Sequence, residues 1–278
     1  MSAIYALQPI YAVTAFVVGM LVGITGVGGG SLMTPLLILL FGMHPAAAVG
    51  TDLLHAAVTR SAGSAVHGLN RTIDWRVARR MAAGSIPAAV ITLAAMSALD
   101  ITSAAALINA VLTVALVLTA VTLVFRDRIA ARYAARLGVL ADKRIAVLTV
   151  AAGAIVGVIV SISSVGAGAI GVTALLLLYP KFPTARIVGT EIAHAVPLTF
   201  VAGAGHWFLG AVDLNVFASL ILGSVPGILI GSYAAVRIPE TALRVVLAAT
   251  LLAVATKLSF GLMPASGDLV AVKTIVPR

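Results

Sequence analysis

Apolar residues in this chain run in long blocks separated by short polar breaks, without sustained period-two alternation. The blocks cover roughly residues 10–24, 29–43, 46–68, 77–97 and 103–125, then 145–160, 167–180, 185–205, 217–235 and 240–262. A bilayer crossing needs about 20 apolar residues, and lipid tolerates only backbone whose polar groups are paired internally. The blocks therefore predict transmembrane helices. A barrel would show alternating segments of about ten residues, and these blocks are longer and continuous. The first two blocks of each set are short for a full crossing. They predict a broken-helix hairpin that dips in and returns, or two cramped spans, followed by three further transmembrane helices.

The two sets of blocks are copies. "GTDLLHA" at Gly50 returns as "GTEIAHA" at Gly189, 139 positions on. The same offset superposes His67 on His206, Asp74 on Asp213, and "GSIP" at Gly84 on "GSVP" at Gly223. Slightly upstream, at an offset of 138, "TGVGGG" from Thr25 lies on "SSVGAG" from Ser163, and Pro45 on Pro183. The chain divides into a first repeat at 1–125, a basic connector at 126–144, a second repeat at 145–262 and a short tail at 263–278.

Charge orients the copies. With the connector inside the cell, the inside loops 70–80, 126–144, 181–186 and 237–244 hold 14 of the 18 Lys and Arg residues. The outside loops hold none, as the positive-inside rule requires. An odd number of crossings per unit then turns the second copy upside down. The fold expected is an all-α polytopic membrane protein built as an inverted repeat, an architecture common in secondary transporters.

Composition agrees: 61% of the 278 residues are hydrophobic and 10% charged, against about 25% charged in a soluble domain. The net charge of +9 is read as loop charge that sets topology, not as a nucleic-acid surface. The absence of cysteine excludes disulfides, thiolate metal sites and cysteine nucleophiles. The N-terminal "MSAIYALQP" lacks Lys and Arg, so the first block reads as a retained span and not a cleaved signal.

Several residues carry a resemblance. A membrane-embedded "GVGGGSLMTPLL" from Gly26, a "P-x-x-A-x-G-T" at Pro45 opening the next helix, His67 near that helix's end and a partial second copy resemble the TauE/SafE family of membrane transporters. That family handles sulfite, organosulfonates and related sulfur anions. The second copy, "SSVGAGAIGVTALL", lacks the proline found at Pro35. The resemblance implies a multi-pass transporter of the bacterial inner membrane, with no enzymatic chemistry and no cofactor. It leaves the cargo open.

The glycine-rich breaks suggest how an anion is held. The first four N–H groups of a helix have no partner inside it, and that end carries about half a positive charge. A helix restarting at Gly28, Gly29, Gly30 and Ser31 would aim these groups at one point, with Thr25 adding a hydroxyl. The second unit offers Ser163, Ser164, Gly166 and Gly168 at the matching positions. Close packing of a hairpin turn is the alternative use of these small residues.

Ionisable residues at membrane depth are functional candidates. Asp52 and His55 share a helix face, as do Glu191 and His194. Each pair suits a proton relay, or else a helix start and its packing. Arg60 is the one strong cation inside the third block, and its counterpart is Thr199. It is a candidate for drawing in the anion. His67 and His206 are expected near opposite faces as gates or interfacial anchors. No histidine pair shows metal-site spacing. The expected partners are a small anion, the lipid bilayer and a coupling proton or sodium ion, with no nucleic acid and homo-oligomerisation left open. A passive anion channel and an integral-membrane enzyme are the competing classes; no nucleophile elbow or metalloprotease motif supports the enzyme.

Overall fold

The computed structural model describes residues 9–25, 30–99, 101–137, 141–234 and 240–262. Among them every element is helical: α1 (Pro9–Thr25), α2 (Gly30–Leu39), α3 (Pro45–Leu69), α4 (Trp75–Met96), α5 (Ile101–Leu137), α6 (Asp142–Ser163), α7 (Ala169–Leu178), α8 (Thr184–Phe208), α9 (Leu214–Ala234) and α10 (Glu240–Leu262). Each apolar block became one helix. Three helical stretches, Ala104–Phe125, Asp142–Ser163 and Thr184–Phe208, are long and apolar enough to cross a membrane.

The helix ends follow local chemistry. Pro45 sits in the first turn of α3, where its missing N–H costs nothing. Asp74 caps α4 by accepting from the backbone N–H groups of Arg76 and Val77. Its repeat partner Asp213 does the same for α9 through Asn215 and Val216. Removing the α4 cap in Asp74→Ala is expected to cost about 1 kcal/mol, a fall of roughly 2–4 °C in the thermal midpoint of the detergent-purified protein. The ion pair from Arg186 to Asp74, at 2.7 Å with its guanidinium half exposed, adds little to that loss.

Two elements differ from the apolar pattern. The helix expected over 145–160 starts three residues earlier and ends three later, giving α6 22 residues, enough for a full crossing. Its polar opening Asp142–Lys143–Arg144 hid this start, although an acid suits a helix N-terminus. Only the second leg of each hairpin is short: α2 and α7 have 10 residues each, about 15 Å of helix. The basic connector is also largely helical, because α5 continues to Leu137.

Packing exchanges the two repeats. The most extensive interfaces join α1 to α9, α4 to α6, α3 to α8 and α5 to α10. Under the repeat correspondence the first two are copies of each other, and the last two each pair a helix with its own counterpart. Helices α3 and α8 run antiparallel: Gly50 lies against His206 and Ala211, Gly203 against Leu54, Gly63 against Ile192, and Gly189 against His67 and Thr72. The first and last of these are the same contact in the two copies.

Glycines permit the close approach. A Cβ on Gly84 would strike the carbonyl of Val150, and one on Gly223 that of Ala12. Apolar clusters fill the remaining space, one on α1, α2, α5 and α10 and another on α3, α4, α5, α6 and α8. The loops sort by charge. The turn before α4 meets the turn before α8 through Arg186–Asp74 and Arg80–Tyr179. At the other end of α3, Thr51 meets Asp213 in a region without Lys or Arg.

Candidate functional site

The repeated "GT[DE]xxHA" motif binds each repeat to the other, one residue at a time. Its glycine admits the opposite unit: Gly50 faces the Ala211 carbonyl, and Gly189 the Thr72 carbonyl. Its threonine accepts a backbone N–H across the interface, Thr51 from Asp213 at 3.0 Å and Thr190 from Asp74 at 2.8 Å. Its histidine meets a serine of the other unit's "GS[IV]P", His55 Nε2 at 2.8 Å from Ser224 and His194 Nε2 at 2.8 Å from Ser85. Each glycine of that second motif packs a helix, and each serine turns inward. Sequence reading matched these two segments as copies without singling out Ser85 and Ser224; the duplicated Gly-Ser was the available signal.

The acids of the two motifs differ. Asp52 is fully buried, and its Oδ2 accepts from Thr34 at 2.6 Å and Ser164 at 2.9 Å. Its Oδ1 lies 3.4 Å from His55 Nδ1, long for a charge-assisted bond. Thr34 stands one turn into α2, and Ser164 lies in the break between α6 and α7. The short leg of the first repeat and the helix break of the second therefore converge on one carboxylate oxygen. Thr34 was not among the expected site residues.

Glu191 is as deeply buried but has no such partners. Among the described residues its Oε1 and the Nδ1 of His194 make no hydrogen bond. The repeat explains why: the counterpart of Thr34 is Val172, and that of Ser164 is Gly26. In their stead the second site has a cation. Arg60, only 7% exposed, lies on α3 one turn before the contact of Gly63 with Ile192 of α8, and among the described residues its NH1 has no partner. Glu191 Oε1 also presses on the first turn of α7, 3.1 Å from where a Cβ on Gly171 would be.

The remaining candidates fall around these two centres. Ser163 is buried, donates to the Ile159 carbonyl at 2.7 Å and accepts the Val165 N–H, closing α6. Ser164 adopts left-handed backbone with φ +59°, and Gly166 has φ +107°. Gly168 precedes α7, whose start no side chain caps. In the first copy, Gly30 opens α2, while Gly28, Gly29 and the side chains of Thr25 and Ser31 lie outside the described residues. His67 is partly buried and bonded to Thr72 at 2.8 Å. Thr72 has Ala211 as its counterpart, so His206 turns elsewhere: its Nε2 donates to the Ser161 carbonyl at 2.8 Å, one of the last carbonyls of α6. At 1% exposure it sits inside the protein against the helix break, not at an accessible face.

The sequence matches the family described as "Sulfite exporter TauE/SafE" over residues 11–258. The chain belongs to the TauE/SafE family. It is 37% identical over 246 residues to the probable membrane transporter protein YjnA of Bacillus subtilis strain 168, covering 87% of this chain and 95% of that one. A shorter match to the probable membrane transporter protein YunE of the same organism is 39% identical over 71 residues, 26% of each chain. No solved structure matches. TauE/SafE membership and the apolar helices make this a multi-pass membrane protein, and within that setting the buried Asp52 and Glu191 centres are its most costly polar features.

Proposed function

We propose that the protein is a secondary transporter that carries a small sulfur oxyanion, such as sulfite or a sulfonate, across the inner membrane of a bacterial-type cell by alternating access. The observation that carries this reading is the convergence of Thr34, from the first repeat's short leg, and Ser164, from the second repeat's helix break, on Asp52. It brings the start of α2 and the α6–α7 break to one buried polar centre, as a site shared between inverted repeats requires. The antiparallel run of α3 and α8 supports the inversion. Helix α7 starts beside this break without a side-chain cap, its Ile170 and Gly171 N–H groups held by the Gly166 carbonyl. An anion among the buried carboxylates Asp52 and Glu191 is tolerated only when a proton or cation cancels a negative charge, so the interior calls for a coupling ion. The family's description and the relatives named as membrane transporters favour transport over enzymatic chemistry.

The test is flux into proteoliposomes holding the purified chain, across sulfite, thiosulfate, sulfonates and sulfate, with pH and sodium gradients varied. Saturable uptake selective among these anions and driven by an ion gradient is the expected outcome. Current that neither saturates nor couples would make the protein a channel, and chemical turnover of the anion would make it an enzyme.

A further inference from the structure

The duplicated acid–histidine pairs occupy equivalent positions and have opposite surroundings. At the first, two hydroxyls and an imidazole surround Asp52 and no cation is near by sequence, since the counterpart of Arg60 is Thr199, whose hydroxyl bonds the Ala195 carbonyl of its own helix. At the second, Arg60 NH1, Glu191 Oε1 and His194 Nδ1 are all buried and, among the described residues, all without a hydrogen-bond partner. Three unmatched polar atoms on two antiparallel helices, next to the start of α7, are expensive unless something completes them.

We propose that Glu191 alone carries the proton that moves with the anion, that Arg60 and His194 grip the anion's oxygens, and that Asp52 is a fixed strut. This deepens the transporter reading and rests on it. The chemistry follows from the donors. When Ser85 donates to His194 Nε2, the imidazole's proton stands on Nδ1, where it can meet an acceptor oxygen. Arg60 offers a second donor. Together they suit a ligand with at least two acceptor oxygens.

While Glu191 is ionised its charge offsets that of Arg60, and its oxygens repel an anion. Once protonated, it leaves Arg60 uncompensated and adds an O–H donor. Anion binding and protonation of Glu191 thus favour each other, and linkage makes the effect reciprocal.

Little else competes for this role. Of the elements packed on α8, α3 contributes Arg60, with Asp52 and His55 engaged in their own network and His67 bonded to Thr72. Helix α4 faces the site with Ser85, its arginines 76, 79 and 80 lying in its first two turns. Helix α7 has no titratable residue, and the charged residues of α6, Asp142 to Arg144, sit at the end remote from the break. On α8 itself, Arg186 pairs with Asp74, and His206 bonds Ser161.

The test uses the full chain in liposomes with an internal pH dye and two probes that stay ionised across the range used, radiolabelled thiosulfate and ethanesulfonate. Wild type should accumulate label under an acid-outside gradient and acidify the lumen as it does so. Glu191→Gln should lose at least tenfold in gradient-driven accumulation and all of the acidification, yet still swap internal for external label. Arg60→Gln should lose both activities. Asp52→Asn, where it folds, should keep the wild-type ratio of protons to anions at a lower rate; a changed ratio would overturn the strut assignment. If Glu191→Gln still accumulates label under the gradient, or if wild type exchanges label without moving protons, Glu191 is not the carrier. If wild type moves neither probe nor sulfite, the transporter reading itself falls and this inference with it.

Discussion

Gly84→Ala and Gly223→Ala are each expected to abolish the folded protein. In both, the new Cβ overlaps a backbone carbonyl of the facing helix, Val150 on α6 or Ala12 on α1, and a carbonyl fixed in a helix cannot turn aside. Overpacking a core costs about 1–3 kcal/mol when side chains can yield, and here only whole-helix displacement relieves it. The loss would take most of a total stability of roughly 5–15 kcal/mol. Intrinsic preference points the other way, since alanine gains about 1 kcal/mol over glycine inside a helix. Gly63→Ala is therefore the control: its nearest foreign atom would be the Ile192 methyl at 3.6 Å, an ordinary contact. Size-exclusion chromatography in detergent should give a monodisperse peak for Gly63→Ala and aggregate for the other two. A well-behaved Gly223→Ala protein would mean that α1 and α9 are not packed this closely.

Asp52→Ala is expected to be the most damaging change in the polar interior. It strands the hydroxyls of Thr34 and Ser164 and the Nδ1 of His55 at once, all in a buried setting. Removing one member of such a network costs about 3–5 kcal/mol, because the groups left behind are desolvated without a partner. Asp52→Asn keeps an oxygen to accept one hydroxyl and should lose about half as much. Glu191→Gln makes the comparison sharp, because its Oε1 has no hydrogen bond among the described residues to lose, and the loss should be smaller than for Asp52→Ala. Thermal denaturation of the purified variants measures all three. Equal midpoints for Asp52→Ala and Glu191→Gln would contradict the different environments of the two acids.

The architecture was largely legible, because each apolar block is a helix and the 139-residue offset returns as packing. The site was legible by halves. Asp52, His55, Glu191, His194 and Arg60 stand out because ionisable groups are rare in such blocks. Their partners Thr34, Ser85 and Ser224 do not, since most helical hydroxyls bond their own preceding turn, as those of Thr59 and Ser61 do. Which hydroxyls turn across the interface is decided by how the repeats pack. The inequality of the two acids was visible only in retrospect: Val172 opposite Thr34 is unremarkable until Thr34 is seen bonded to Asp52. The length of α6 was hidden for a simpler reason, a charged first turn that hydropathy excludes.

The paired threonine clasps have a consequence for motion. Thr51 with Asp213 fastens one end of α3 against α8, and Thr190 with Asp74 fastens the other. On the proposed cycle, opening toward either side releases one clasp and leaves the other closed. The two clasps are the same bond between the same residue types, differing by the exposed Arg186–Asp74 pair, worth about 1 kcal/mol or less. On that proposal the two openings break nearly equal clasps, so the direction of traffic would be left to the anion and ion gradients.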